Sequence, residues 1–499
     1  WRQLVNIGYA HDGLIGSVQE QLRRAQKEIG FTYLRFHGIF DDDMHIYQEN
    51  EDGSPWFNFA YADLLFDFIQ EIGLIPYVEL GYMPSKLAKT QYTMFDNPAI
   101  CISMYNDSEK WQALVQACLS HWIDKYGLAN VRKWRFTVFS MNYSRLQYTS
   151  PVMSHEDYCK MFEAAYQTIK MIDPELKLGG AGCFPGISLA PDGLRRFLLD
   201  VKEHGCPPDF ITVQCYPHED FAQDSDFFYF TSKQTAMPSV LSKDSSFTLH
   251  FLQRLDRIRQ EIGFADCPIV VEEWNSTLWQ RDISGDTCYK AAWLIKNALQ
   301  NYDQAQYLGY WLLTDFLDEW LVPGGVFHGG YGLFTINGIP KAGYQALRML
   351  NRIGERKIAS GEGWFVSQSE NTIQVYLYHY CHYDALYRYR YQKLTDPHDA
   401  YKVFESDGRL KIELELCGLD PGIYRQEIWT INRSAGSTFD RWIEMGAPGV
   451  MTPEDLKYLN DMAQPLCKIR DTDTVGTLRL QAELEPHEVR LIVLKKRDG

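Results

Sequence analysis

The sequence has no run of apolar residues approaching the roughly 18 to 20 that a membrane-spanning helix needs, so no membrane segment is expected. It also has no CxxC pair: its 11 cysteines, an odd number, are scattered from Cys101 to Cys467. That scatter excludes a disulfide framework and a cysteine-rich zinc site, and fits a reduced, cytoplasmic protein with buried thiols. Basic residues are in deficit, with 49 Lys and Arg against 65 Asp and Glu and a net charge of −16. Such a balance disfavours direct binding of nucleic-acid phosphates by this segment. The opening residues WRQLVNIGYA hold neither a basic-then-apolar signal nor an initiator Met, as expected of a chain cut or processed from something longer.

What is present is an alternation. A chain of 499 residues is expected to form one large and one smaller domain. Strand-like runs fall at 4–10, 32–36, 75–80, 134–139, 176–182, 209–214, 268–273 and 307–313. Amphipathic helical patterns separate them at 17–29, 59–72, 109–126, 155–171, 191–204, 248–263, 285–301 and 341–352. Eight such units predict a (β/α)8 TIM barrel over residues 1–353. A doubly wound open sheet is the rival, but no Gly-rich phosphate turn follows the first strand. Ser154 with Asp157 predicts a capped helix start, and Gly30 and Gly73 predict helix ends. Beyond residue 353, runs such as TIQVYLYHY, LKIELELCGL and TLRLQAEL alternate apolar and polar residues. They predict a β-sandwich-like accessory domain over 354–499, with a small helical insert at 452–463.

In such a barrel the chemistry lies at the C-terminal ends of the strands. The polar residues there are His37, Glu79, Gln214, Tyr216, Glu272, Glu273, Asp315, Asp318 and Glu319, with Met141 just past strand four. This concentration of carboxylates argues for a polar-ligand pocket. Glu273, ending an apolar strand in VVEEWNST, is the strongest candidate, because a buried carboxylate needs donors around it. Alternation along a strand sends the neighbouring Glu272 the other way. The His residues are dispersed, so neither a metal site nor a cofactor is expected.

The stretches LRFHGIFDDDMHIY, YVELGYMPSKLA, DFITVQCYP, VVEEWNST and YWLLTDFLDEWLVPGGVFHGGYGLFTINGIPKAGYQAL resemble glycoside hydrolase family 39, the β-xylosidases and their relatives. The resemblance implies a retaining mechanism with two carboxylates roughly 5 to 5.5 Å apart. It makes Glu273 the nucleophile and puts the acid/base at position 141, where this chain has Met141. Ser140 stands where resembling enzymes have an Asn on the sugar 2-hydroxyl, and Gln214 replaces a His. His37, Asp42, Asp43, Trp311, Asp315, Asp318 and Glu319 resemble residues that line or support the pocket, whereas His328 in FHGGYG is at least as well explained by structure. No Asp or Glu lies between Asp124 and Glu156, so the acid has not simply shifted along the loop.

Two readings follow. In the first, the chain is a saccharide-binding module that senses a xylose-type sugar or xylo-oligosaccharide and hydrolyses it poorly or not at all. Modules resembling this family also occur at the C-terminal end of AraC-type transcription regulators, so a DNA-binding region upstream is the expected partner region. In the second, the chain is an active retaining β-xylosidase with Glu273 as nucleophile and a non-standard acid/base. The sequence favours the first.

Overall fold

The computed structural model describes residues 1–497 apart from 92, 94–98, 140–152, 184–190, 221–238, 280, 317–324, 390–393, 395 and 406–407. The described residues divide into two compact units.

The first unit, formed by 1–240, 247–278 and 303–321, contains a closed barrel of eight parallel strands. These are β1 (Leu4–Tyr9), β2 (Tyr33–His37), β3 (Ile75–Leu80), β4 (Arg135–Val138), β5 (Leu178–Cys183), β6 (Phe210–Cys215), β7 (Ile269–Trp274) and β8 (Tyr307–Tyr310). Each strand pairs with its neighbours in sequence, and β1 closes on β8 through Val5 and Tyr310. The strands are almost wholly buried, as parallel strands covered on both faces must be, and IVVEEW of β7 shows no exposed position. The longer helices in this unit are α1 (Gly16–Glu28), α2 (Ala60–Glu71), α3 (Ser108–Tyr126), α4 (His155–Ile172), α5 (Pro191–Glu203) and α6 (Phe247–Ile262). The expected start of α4 is a full capping box: Asp157 N–H donates to Ser154 Oγ, and Ser154 N–H donates to Asp157 Oδ2.

Side chains fill the barrel. At the N-terminal ends of the strands, Leu4, Tyr33, Tyr77, Phe210, Val270 and Tyr307 pack into one apolar layer. The Tyr33 and Tyr307 rings lie 5.4 Å apart, and those of Tyr77 and Phe210 6.0 Å apart. Gly179 makes room for this layer, because a Cβ there would lie 2.1 Å from the Phe210 ring. The charged groups of the site stand above it, on a floor from which water is excluded.

The second unit takes in 241–246, 279–302 and 322–499, including helices α7 (Cys288–Gln300) and α8 (Ala342–Leu350). Its six-stranded sheet begins at Arg356, and the unit also takes in 279–302 and 322–353, which the sequence pattern assigns to the barrel domain. The strands are β9 (Arg356–Gly361), β10 (Trp364–Ser369), β11 (Thr372–Tyr378), β12 (Leu410–Cys417), β13 (Gly422–Ile431), β14 (Leu466–Thr474), β15 (Thr477–Leu484) and β16 (Val489–Lys496). The six-stranded sheet runs β9-β10-β11-β16-β13-β14 and the two-stranded sheet pairs β12 with β15. Ile412, Leu478, Leu480 and Leu484 of the small sheet share a core with Val375, Leu377, Ile492 and Leu494 of the large one, which makes a β-sandwich. The insert expected at 452–463 is helix Pro453–Met462, capped by Thr452 and Asp455. A short helix at Thr438–Glu444 and the strands β9, β10 and β14 were not among the runs singled out in the sequence.

Candidate active site

The site is organised by a residue that sequence reasoning passed over. Arg35, on β2, is completely buried, and a buried guanidinium must be matched by anions and hydrogen bonds. It donates from Nη1 to Glu273 Oε1 at 2.9 Å and from Nη2 to Glu79 Oε2 at 2.6 Å. Its Nε lies 3.7 Å from Glu272 Oε2, and Nη1 also reaches Asn6 Oδ1 at 3.2 Å. The available signal was an arginine between Leu34 and Phe36 in an otherwise apolar strand, which implies acidic partners on neighbouring strands.

Both β7 carboxylates therefore meet Arg35, which corrects the expectation that Glu272 points away. Pairing of β7 with β6 runs Val271 to Val213 and then Glu273 to Gln214, so β7 carries one extra residue at this point. A bulge of this kind breaks the two-residue alternation of side chains. Glu272 is held inside the barrel and accepts from Tyr77 OH at 3.3 Å.

Glu273 is surrounded by donors. Its Oε1 accepts from Arg35, from Gln214 Nε2 at 2.9 Å, and faces His37 Nε2 at 3.2 Å. Its Oε2 accepts from Tyr216 OH at 2.9 Å. His37 is fixed from its other ring nitrogen, since Nδ1 lies 2.6 Å from Glu79 Oε1. The imidazole ring is flanked by Tyr82 and Trp311, at 5.6 and 5.0 Å between centroids. Asn275 donates to the Trp311 carbonyl and so ties the end of β7 to the segment after β8.

Electrostatics follow from this geometry. Burial alone would push the Glu273 carboxyl up, but the Arg35 charge and the His37 hydrogen bond overcome it and hold it at about 2. Burial works against the His37 cation, yet the Glu79 charge prevails and raises it to about 9. Glu79 is likewise held below the usual carboxylate range, against burial, by His37 and Arg35. Glu272 is raised to about 7, by burial first, against the pull of Arg35 and with the help of Glu79 and Glu273. Near neutral pH the cluster thus balances two cations, Arg35 and protonated His37, against two firm anions, Glu79 and Glu273. Chemically, Glu273 is an ionised, oriented carboxylate whose Oε2 carries one donor among the described residues, as a nucleophile or a hydroxyl acceptor requires.

Other residues singled out in the sequence divide as follows. His37, Gln214, Tyr216 and Glu273 are in mutual contact through Glu273, and Trp311 stands against His37. Asp42 accepts from Ser85 N–H at 3.0 Å and ties two loops together. Asp315 is buried beyond the end of β8. His328 belongs to the second unit, where its Nδ1 lies 3.2 Å from the Gly325 carbonyl. Ser140, Met141, Asp318 and Glu319 lie outside the described residues.

Comparison with known proteins agrees with this architecture. The chain is 25% identical over 503 residues to a β-xylosidase of Geobacillus stearothermophilus, covering 99% of this chain and 92% of that protein. Its fold is similar to that of a crystallised monomeric β-xylosidase from Caulobacter crescentus CB15, with a TM-score of 0.86, 23% identity and coverage of 100% and 96% of the two chains. A weaker similarity, 22% identity over 233 residues, links 46% of this chain to 29% of an uncharacterised HTH-type transcriptional regulator of Staphylococcus aureus. The model of glycosyl hydrolases family 39 matches residues 1–479, and the chain belongs to that family.

Proposed function

We propose that this chain is a saccharide-binding module that senses a xylose-type sugar, in which Glu273 accepts hydrogen bonds from the ligand and hydrolysis is absent or strongly impaired. The observation that carries this reading is a mismatch between the two halves of the catalytic pair. Glu273 keeps a full complement of donors in Arg35, His37, Gln214 and Tyr216. Position 141, where the family's acid/base is expected, is methionine, and no Asp or Glu occurs between Asp124 and Glu156. Methionine carries no transferable proton, and loss of a general acid/base costs on the order of 10² to 10⁴ in rate. Similarity to part of an HTH-type regulator supports a sensing role within a longer chain.

The second reading, an active retaining β-xylosidase, draws on the same Glu273, which is ionised and oriented as a nucleophile needs. A substrate with a good leaving group separates the two. An aryl xyloside needs little acid assistance, so Glu273 forms a covalent glycosyl adduct seen as a mass shift, while release stays slow for want of a base. Rapid hydrolysis of unactivated xylobiose would overturn the sensor reading. Binding of xylose or short xylans in the pocket raises the unfolding temperature by mass action.

A further inference from the structure

Away from the barrel mouth, three ligand-type side chains converge between α4 and α5. His155 and Cys159 stand one turn apart on α4 and Asp200 lies on α5; among the described residues this is the one His, Cys and carboxylate grouping whose ligand atoms all fall within 4.8 Å of one another. His155 Nε2 lies 2.6 Å from Asp200 Oδ2 and 3.5 Å from Cys159 Sγ, and Sγ lies 3.7 Å from Asp200 Oδ2. Cys159 is buried, while the His155 and Asp200 side chains retain 19% and 40% of their exposure, so the group has a dry side and a wet side.

A Cys-His-Asp trio suggests a catalytic relay, but the geometry is wrong for one. A relay uses both imidazole nitrogens, one toward the nucleophile and one toward the carboxylate. Here the thiol and the carboxylate face the same nitrogen, Nε2. Convergence of three ligand atoms on one point is instead what a metal ion requires. Tetrahedral zinc, with bonds of about 2.3 Å to sulfur and about 2.0 to 2.2 Å to nitrogen and oxygen, sets sulfur about 3.6 Å from each lighter ligand atom. The two sulfur separations already match that spacing. Only the Nε2 to Oδ2 contact, now a hydrogen bond, must open to about 3.4 Å.

We propose that His155, Cys159 and Asp200 bind one divalent transition-metal ion of the zinc type, with the fourth position open to water on the exposed side. On binding, the Cys159 thiol gives its proton to solvent, and the neutral imidazole carries its remaining proton on Nδ1, leaving Nε2 for the metal. The thiolate and carboxylate then neutralise the ion's two charges. The ion joins two consecutive barrel helices, so its role is to brace them. The sequence expectation of no metal site rested on dispersed histidines; the His155 and Cys159 spacing was legible, but Asp200 follows Cys159 by 41 residues and is joined to it only by the fold.

Cobalt titration of the intact chain, after stripping with chelator, provides the test. One Co2+ binds per chain, with thiolate-to-cobalt charge-transfer absorption in the near ultraviolet. The band disappears in Cys159→Ser and survives in Cys417→Ser, whose cysteine is exposed in the second unit. Zn2+ displaces the cobalt and raises the unfolding midpoint of the wild type but not of His155→Gln or Asp200→Asn. The absence of stoichiometric binding to the wild-type chain, or a band that persists in Cys159→Ser, would overturn the proposal. The wild-type titration decides the matter even if a variant fails to fold.

Discussion

Gln214 donates from Nε2 to Oε1 of Glu273 at 2.9 Å, joining Arg35 and His37 on the same oxygen. Gln214, at a position where the family resemblance implies a histidine, thus puts a donor on the carboxylate. A hydrogen bond to a charged group is worth about 1.5 to 3 kcal/mol. Gln214→Ala is expected to slow adduct formation from an aryl xyloside by about 10- to 100-fold, and Gln214→His to recover most of that rate. Time-resolved intact-mass measurements check both.

Position 141 offers the opposite experiment. If the missing acid/base limits turnover, Met141→Glu combined with Ser140→Asn raises kcat/KM on xylobiose by on the order of 10² or more. No gain in steady-state hydrolysis would count against the account of a degenerate site.

Arg35 is the electrostatic centre of the barrel, with all of its surface buried. Arg35→Met leaves Glu79 and Glu273 with His37 as their remaining cation, and removing one partner of a buried ion pair typically costs about 3 to 5 kcal/mol. The urea midpoint of the first unit is expected to fall accordingly. An unchanged midpoint would mean that the carboxylates take up protons at little cost.

Stability should depend on pH in a defined way. Glu273, lowered to about 2 from an ordinary 4.5, contributes stability that is present above 4.5 and lost as pH falls toward 2. His37, raised to about 9 from 6.5, contributes stability that is present below 6.5 and lost as pH rises through 9. Glu272, raised to about 7, binds its proton more tightly when folded, so its contribution is also lost as pH rises, from 4.5 through 7. The expected maximum lies near pH 4.5, where the Glu273 contribution is complete and the Glu272 contribution has not yet been lost. Unfolding curves at several pH values check this, and His37→Gln should flatten the decline between 6.5 and 9.

The barrel was legible because its signals are local and repeated. Apolar strands, amphipathic helices and the Ser154 capping box each declare themselves within a few residues, and all eight barrel strands fall where the pattern put them. The position of Glu273 was readable as a carboxylate ending an apolar strand. The side of the strand on which Glu272 lies was not, because a bulge depends on pairing with β6 and β8 and leaves no mark in IVVEEW. Arg35 was missed for a related reason: its partners Glu79, Glu272 and Glu273 lie on strands distant in sequence and meet only when the barrel closes. In the second unit, β9 has every residue exposed and so offers no apolar alternation to read.

The closed network around Arg35 changes what the survival of Glu273 means. Losing the carboxylate would leave a buried guanidinium and a buried imidazolium sharing Glu79 as their one firm anion, so a folding barrel has reason to keep it whether or not any glycosidic bond is cut. Selection on stability alone would preserve the nucleophile in a lineage that had stopped hydrolysing sugars. Such a lineage would hold a ready half of the reaction, able to return to catalysis once a proton donor reappears.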